Sequence, residues 1–189
     1  MGCLVNFSEI ANTLGVAVKT VQNYLWYLQK TFILKKVSPY FQNTRKEITK
    51  SPVFYFYDLG LRNYILSQFG DLSRSKDVGF LFENLVFNTL REKFAGTSSK
   101  INFWRSKDKA EVDFIINTGR SVLPIEAKFS ALKEPEITRS MRSFIAKYEP
   151  KRAFVVNLTL RQIIKVDKTT VNFVPFFDLP FLDILAYRL

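Results

Sequence analysis

The stretch from Val78 to Phe94 restricts the fold more than any other part of this chain. Phe80, Leu81, Phe82, Leu85, Val86, Phe87, Leu90 and Phe94 fall on almost every side of a helix drawn through it. A helix apolar all round cannot lie on a surface, so the rest of the chain must close over it. Glu83 interrupts this surface. Its neighbours one and two turns along are Phe87 and Leu90, so it shares an apolar stripe, and an unpaired buried carboxylate is costly. A cation, a basic side chain or the rim of a cleft would satisfy it; the plain alternative is a helix edge that turns Glu83 to solvent.

Downstream, the apolar period changes from helical to alternating. In Ala110 to Ile116 the spacing predicts a strand with Val112, Phe114 and Ile116 on one face and Glu111 and Asp113 on the other. Asn117-Thr118-Gly119-Arg120 turns the chain. The next strand, within Ser121 to Phe129, carries Leu123, Ile125, Ala127 and Phe129 on its apolar face and Glu126 and Lys128 on the other. With Thr118-Gly119 as a two-residue loop, Asp113 lies opposite Pro124 and diagonal to Glu126, all on one face. A one-residue slip would put Asp113 on the wrong side. Phosphodiester hydrolysis needs such a set, because carboxylates can hold a divalent cation over a phosphate while a lysine stabilises the developing charge or helps activate a water. Glu83, Asp113, Glu126 and Lys128 are therefore the candidate catalytic residues. Ile101 to Arg105 reads as a strand before this hairpin. Glu134 to Tyr148 reads as a crossover helix after it, followed by a buried strand over Ala153 to Asn157 and a closing strand and apolar segment over Val171 to Leu189. That order is α/β with a mixed sheet.

The N-terminal part has a different pattern. Asn6-Phe7-Ser8-Glu9 opens a short helix that Leu14-Gly15-Val16 ends. A second helix runs from Val18 to Lys30, with Val21, Tyr24, Leu25 and Leu28 facing a core and Lys19, Asn23 and Lys30 on the other side. Phe32 to Val37 and Val53 to Tyr57 read as a β-hairpin around a turn-like stretch from Pro39 to Arg45. Together these read as a winged helix-turn-helix, with Lys19 and Asn23 on the expected recognition helix and Lys35, Lys36, Arg45, Lys46 and Lys50 on the expected wing. Ala17 stands where a capping side chain is expected, and Trp26 falls on the face of Lys19 and Lys30. The expected division is residues 1–76 for this unit and 77–189 for the mixed-sheet unit.

Charge and composition narrow the chemistry. Lys plus Arg is 28 against 17 Asp plus Glu, a net charge of +11 with a pI near 9.8, which favours an anionic partner, DNA first among them. Residues 1–76 hold ten basic and four acidic side chains, a net of +6, so the excess is not confined to either part. The chain has no histidine, which excludes Ser-His-Asp triads, His-metal nucleases and two-His zinc sites. Cys3 is the only cysteine, which fits a reducing cytoplasm. The greasiest stretch, Val171 to Leu185, is broken by Pro175, Asp178, Pro180 and Asp183, so no membrane span is expected, and Met1 to Phe7 does not read as a secretion signal.

At Glu83, Asp113, Glu126 and Lys128 the sequence resembles the PD-(D/E)XK nuclease superfamily, whose core is a helix with an acidic residue, a strand with Asp and a strand with Glu-x-Lys. More narrowly, it is similar to the uncharacterised C-terminal region of a family of archaeal and bacterial AAA-type ATPases. The residues that carry this likeness are Leu14-Gly15-Val16 through Tyr24-Leu25, Lys50-Ser51-Pro52 through Tyr57-Asp58-Leu59-Gly60, Phe82-Glu83-Asn84, Phe103-Trp104-Arg105, Glu111-Val112-Asp113-Phe114 and Pro124-Ile125-Glu126-Ala127-Lys128. The resemblance implies a restriction-endonuclease-like domain with Mg2+ or Mn2+ on Asp113 and Glu126, joined by Glu83 through water. Lys128 would stand near the attacked phosphate, and Arg105, Lys107 and Arg139 would contact phosphates. It also implies a preceding ATPase module in cis. The sequence has no Gly-x-x-x-x-Gly-Lys-Ser/Thr loop, so no ATP site is expected in this chain, which would be the C-terminal part of a longer protein. A homo-oligomer is compatible with the sequence. A second class of function stays open: a noncatalytic module that binds nucleic acid or docks a protein, keeping its carboxylates as a structural polar cluster. Trp26 and the uncapped Ala17 motivate it.

Overall fold

A computed structural model describes residues 4–41, 51–69 and 77–184. Arg45, Lys46 and Lys50 of the expected wing, and the end of the terminal segment, lie outside them. Among the described residues the chain forms five helices, a two-stranded hairpin and a six-stranded mixed sheet. In chain order these are α1 (Phe7–Leu14), α2 (Val18–Lys30), β1 (Leu34–Val37), β2 (Val53–Phe56), α3 (Leu59–Ile65), α4 (Val78–Lys93), β3 (Lys100–Arg105), β4 (Glu111–Asn117), β5 (Val122–Ala127), α5 (Arg139–Tyr148), β6 (Arg152–Asn157), β7 (Gln162–Val166) and β8 (Thr169–Pro175). The large sheet runs β3-β4-β5-β6-β8-β7. β5, β6 and β8 are parallel, and the other neighbours are antiparallel.

α4 is buried as its composition requires. Phe82, Val86, Phe87, Leu90 and Phe94 pack on Phe103, Phe114, Ile116, Leu123, Ile125, Phe154 and Val156 from one face of the sheet. On the other face Met141, Phe144 and Ile145 of α5 meet Trp104, Val112, Ile115, Val155 and Phe173. The result is a sheet with a helix layer on each side. β1 and β2 join the α4 side: Val37, Val53 and Tyr55 belong to the same core as Phe82 and Phe87. The hairpin therefore does not stand apart as a free wing. Pro39 makes a parallel bridge with Phe103, and the Asn84 side chain both accepts from the Phe56 N–H and donates to the Phe56 carbonyl, each at 2.8 Å.

Several expectations change in detail. Tyr24 is exposed rather than core-facing, while Val21 is buried. Gly15 adopts the left-handed turn (φ 65°) that ends α1, and Ala17 starts α2 with no side-chain cap. The crossover helix begins at Arg139, five residues later than expected, because the Thr138 hydroxyl caps it by accepting from the Met141 N–H at 3.1 Å. α3 and β7 were not foreseen. β7 pairs only at the sheet edge, where its mostly exposed side chains give little apolar signal.

The β4–β5 loop is longer than the two-residue turn. The ladder pairs Asn117 with Val122 and Phe114 with Ile125, a shift of two residues from the expected register. Asn117 Oδ1 accepts from the Gly119 N–H at 2.9 Å, and Gly119 takes a φ of 81° that suits glycine. Because the shift is even, Glu126 keeps its face.

Candidate active site

β4 does not alternate evenly. Trp104 pairs with Val112 and Asn102 with Ile115, so Asp113 and Phe114 together oppose Phe103: a β-bulge. The bulge puts Val112 with Ile115 on the α5 side, while Phe114 and Ile116 face α4. The expected single face of Val112, Phe114 and Ile116 is thus broken at Asp113, which stands just beyond the Phe114–Ile125 pair at the end of the β4–β5 ladder.

There the Asp113 carboxylate replaces a strand partner. Alternate N–H groups of central β5 point to opposite neighbours; Lys128 donates its N–H to the Val156 carbonyl of β6 at 2.8 Å, and Ala127 points the other way. Its N–H donates to Asp113 Oδ2 at 2.8 Å. Glu126 projects toward α5 and accepts from the Thr138 hydroxyl through Oε2 at 2.8 Å, so the residue that caps α5 also orients this carboxylate. Lys128 lies just past the end of β5, close enough for its charge to act on Glu126.

Glu83 does not turn to solvent; it is only 5% exposed. Its Oε1 accepts from the Tyr55 hydroxyl at 2.5 Å. Glu111 completes the acidic group, with Ser140 Oγ accepting from its N–H at 3.1 Å and Arg105 lying 3.8 Å from its carboxylate.

Burial raises the pKa of Asp113, Glu126 and Glu111, and the Glu83 charge adds to the rise of Asp113 and Glu111. Asp113 is pushed well above the usual carboxylate range by desolvation first and the Glu83 charge second, against the Ala127 hydrogen bond, with Glu126 and Glu111 adding smaller pushes. Burial raises Glu126 against the pull of Thr138 and Lys128. Glu111 is raised by burial, with Arg105 opposing and Glu83 adding. Burial and Glu83 push the Tyr55 phenol well above its ordinary value, so it is the donor.

Close carboxylates that resist ionising together suit a hard divalent cation. Among the described residues no three of them converge as a ready-made cage. Mg2+ does not need one, since it keeps several waters and is commonly held by one or two carboxylates. The hydrogen bonds engage Asp113 Oδ2 and Glu126 Oε2, one oxygen of each carboxylate, so a pair of carboxylates completed by waters is the donor set that fits such an ion.

Beside the acids runs an open trough of about 780 Å3, which brings together Arg105, Lys107 and Arg139 with Lys109 and Lys147. The β3–β4 loop that carries Lys107 and Lys109 is closed by the Ser106 N–H donating to the Ala110 carbonyl at 2.8 Å, with Lys109 at a left-handed φ of 62°. Lys35 and Lys36 lie elsewhere, in a second cleft of about 670 Å3 with Arg91 and Lys100. Lys100 pairs with Asn117 while Arg105 pairs with Glu111, so the second cleft lies toward the other end of β3 from Arg105 and the trough. Lys19 and Asn23 are exposed on α2 and join neither cleft.

Residues 78–177, just over half of the chain, match the family described as Domain of unknown function (DUF4143). The chain belongs to the DUF4143 family. Residues 1–72 match a second family, Domain of unknown function (DUF8612). Uncharacterized protein Mb2031c of Mycobacterium bovis and uncharacterized protein Rv2008c of Mycobacterium tuberculosis are each 29% identical to it over 158 residues, 82% of this chain and 35% of each relative. The chain thus spans about a third of the length of these curated relatives. The DUF4143 match runs from the start of α4 to just beyond β8 and contains all four acids. Tyr55, on the hairpin, falls outside it. No helix among the described residues is long and apolar enough to cross a membrane.

Tyr55, Thr138, Ser140, Lys109 and Lys147 escape sequence reasoning, which places Glu111 on the polar face of β4 without giving it a part in the site. Thr138 had a usable signal, a threonine directly before a helical run, hidden by starting that helix at Glu134. Tyr55 had none, since its partner is 28 residues away.

Proposed function

We propose that this chain is a nuclease-like module of the PD-(D/E)XK type, hydrolysing phosphodiester bonds in DNA with Mg2+ or Mn2+. The observation that carries this reading is the meeting of Asp113, Glu126 and Lys128 at the bulged end of the β4–β5 ladder, beside the trough of Arg105, Lys107, Lys109 and Arg139. Asp113 and Glu126 would hold the ion, and when bound it would polarise the phosphate as a Lewis acid. Lys128 would stabilise negative charge on the attacked phosphate. The trough cations would neutralise the flanking phosphates and fix the strand. α1, α2 and the β1–β2 hairpin are proposed as a winged helix that adds contacts through Lys19, Asn23, Lys35 and Lys36. The greater length of the relatives leaves room for a further module, proposed as a preceding ATPase by the resemblance at the sequence level.

The test is incubation of purified protein with single- and double-stranded DNA and either metal. Cleavage is expected, with loss in Asp113→Ala and Lys128→Ala. Failure to cut either substrate with either metal sinks the catalytic reading for this chain.

One observation favours the noncatalytic alternative. The solvent face of α2 carries Tyr24, Trp26 and Tyr27, all more than half exposed, with the Lys30 ammonium 5.5 Å from the Trp26 ring. Such a face suits protein docking. Partner binding that survives high salt and is lost in Trp26→Ala would support it, whereas DNA binding weakens steeply with salt.

A further inference from the structure

A buried phenol and a buried carboxylate meet where the hairpin crosses α4. The Tyr55 ring stacks on Phe87 with centroids 4.4 Å apart, lies parallel to Phe80 at 6.4 Å and tilts against Phe114 at 5.6 Å. The next residue, Phe56, is gripped by Asn84, the residue after Glu83. Consecutive residues of β2 are therefore tied to consecutive residues of α4, and the hydroxyl has little freedom to leave Glu83. Stability alone does not explain the pair, because replacing two buried, mutually bonded polar groups by apolar groups of the same shape is close to neutral. A Phe and a Leu would fill this part of the core. What the pair adds is a carboxylate held in one orientation next to Asp113, whose ionisation already responds to it.

We propose that Tyr55 is a positioning residue of the acidic site: its hydroxyl fixes the Glu83 carboxylate for the hydrated divalent cation, making the N-terminal hairpin a component of the metal centre. This inference rests on the metal-centre reading above. Groups that orient a metal's surroundings typically change affinity by about 10–100-fold when removed.

The experiment measures Mn2+ binding by calorimetry on the whole chain for wild type, Tyr55→Phe, Glu83→Gln and the double variant. Tyr55→Phe keeps the ring stack, and thermal unfolding without metal checks that it folds. The expected result is about 10–100-fold weaker binding in Tyr55→Phe, weaker binding in Glu83→Gln, and a double variant no weaker than Glu83→Gln. Equal affinities for wild type and Tyr55→Phe overturn the role of Tyr55 while leaving the metal centre standing. A double variant weaker than Glu83→Gln by the full Tyr55→Phe factor also overturns it, since Tyr55 would then act independently of Glu83. If the wild type binds no Mn2+, the metal-centre reading falls and takes this inference with it.

Discussion

Asn84→Ala tests how firmly the hairpin is fastened to α4. Asn84 is fully buried, and both ends of its amide are used on Phe56. Its removal forfeits two hydrogen bonds, about 0.5–1.5 kcal/mol net each. The consequences at the two ends differ. The Phe56 carbonyl keeps a bond from Asn88 Nδ2 at 3.1 Å, whereas the Phe56 N–H loses its acceptor, adding about 1–3 kcal/mol if it stays dry. The expected cost is about 2–4 kcal/mol, part of the surplus being relieved if water enters. Asn88→Ala is the internal comparison. It also gives up bonds to the Phe56 and Tyr57 carbonyls, but Phe56 retains Asn84, and the Asn88 Oδ1 atom is buried with no partner, so deleting it removes a burden. Its cost should stay below about 1 kcal/mol. Urea unfolding of wild type and both variants, compared at equal m-values, reads the difference. An Asn84→Ala cost under about 1 kcal/mol, or an Asn88→Ala cost equal to it, refutes the argument that the Phe56 N–H depends on this one side chain.

The raised pKa of Asp113 fixes the sign of a pH effect. The folded state holds this proton more tightly than the unfolded chain, so the metal-free protein loses stability as pH rises from about 4 through the raised value. Glu126 and Glu111 contribute in the same direction. Asp113→Asn should therefore be the more stable protein at neutral pH without metal, the advantage disappearing toward pH 4; thermal melts in chelator across that range decide, and a variant less stable than wild type at pH 7 would contradict it. For the trough, replacing Arg105, Lys107 and Arg139 together by Ala should make the salt dependence of duplex DNA binding shallower by about 2.7 in log–log slope, roughly 0.9 for each phosphate no longer neutralised. An unchanged slope in an anisotropy titration would remove the trough from the DNA path.

The elements that locate the site were legible because their sequence signals are local. The all-round apolar surface of α4 announced a buried helix, and the alternation of β4 and β5 announced a hairpin with Glu126 and Lys128 on one face. The bulge at Asp113 and Phe114 was not legible, since it depends on how Phe103 on the neighbouring strand is accommodated. Sequence parity put Asp113 beside Glu126 on one face; the structure brings them together at a strand end. The length of the β4–β5 loop was hidden by Thr118-Gly119, which suits a two-residue turn as well as the longer loop. Tyr24 illustrates the converse error: it continues the stripe of Val21, Leu25 and Leu28, yet no element among the described residues covers it.

The two stretches that match separate families contribute side chains to one core. Pro39 is bridged to Phe103, and Val37, Val53 and Tyr55 share one core with Phe87, Phe114 and Phe154. Severing the chain at the seam before α4 would uncover aromatic side chains on both pieces, and each would carry an adhesive surface in place of a finished one. Recombination that moved the acidic half to a new host without its hairpin would leave Phe87 and Phe114 without the Tyr55 ring that packs on them.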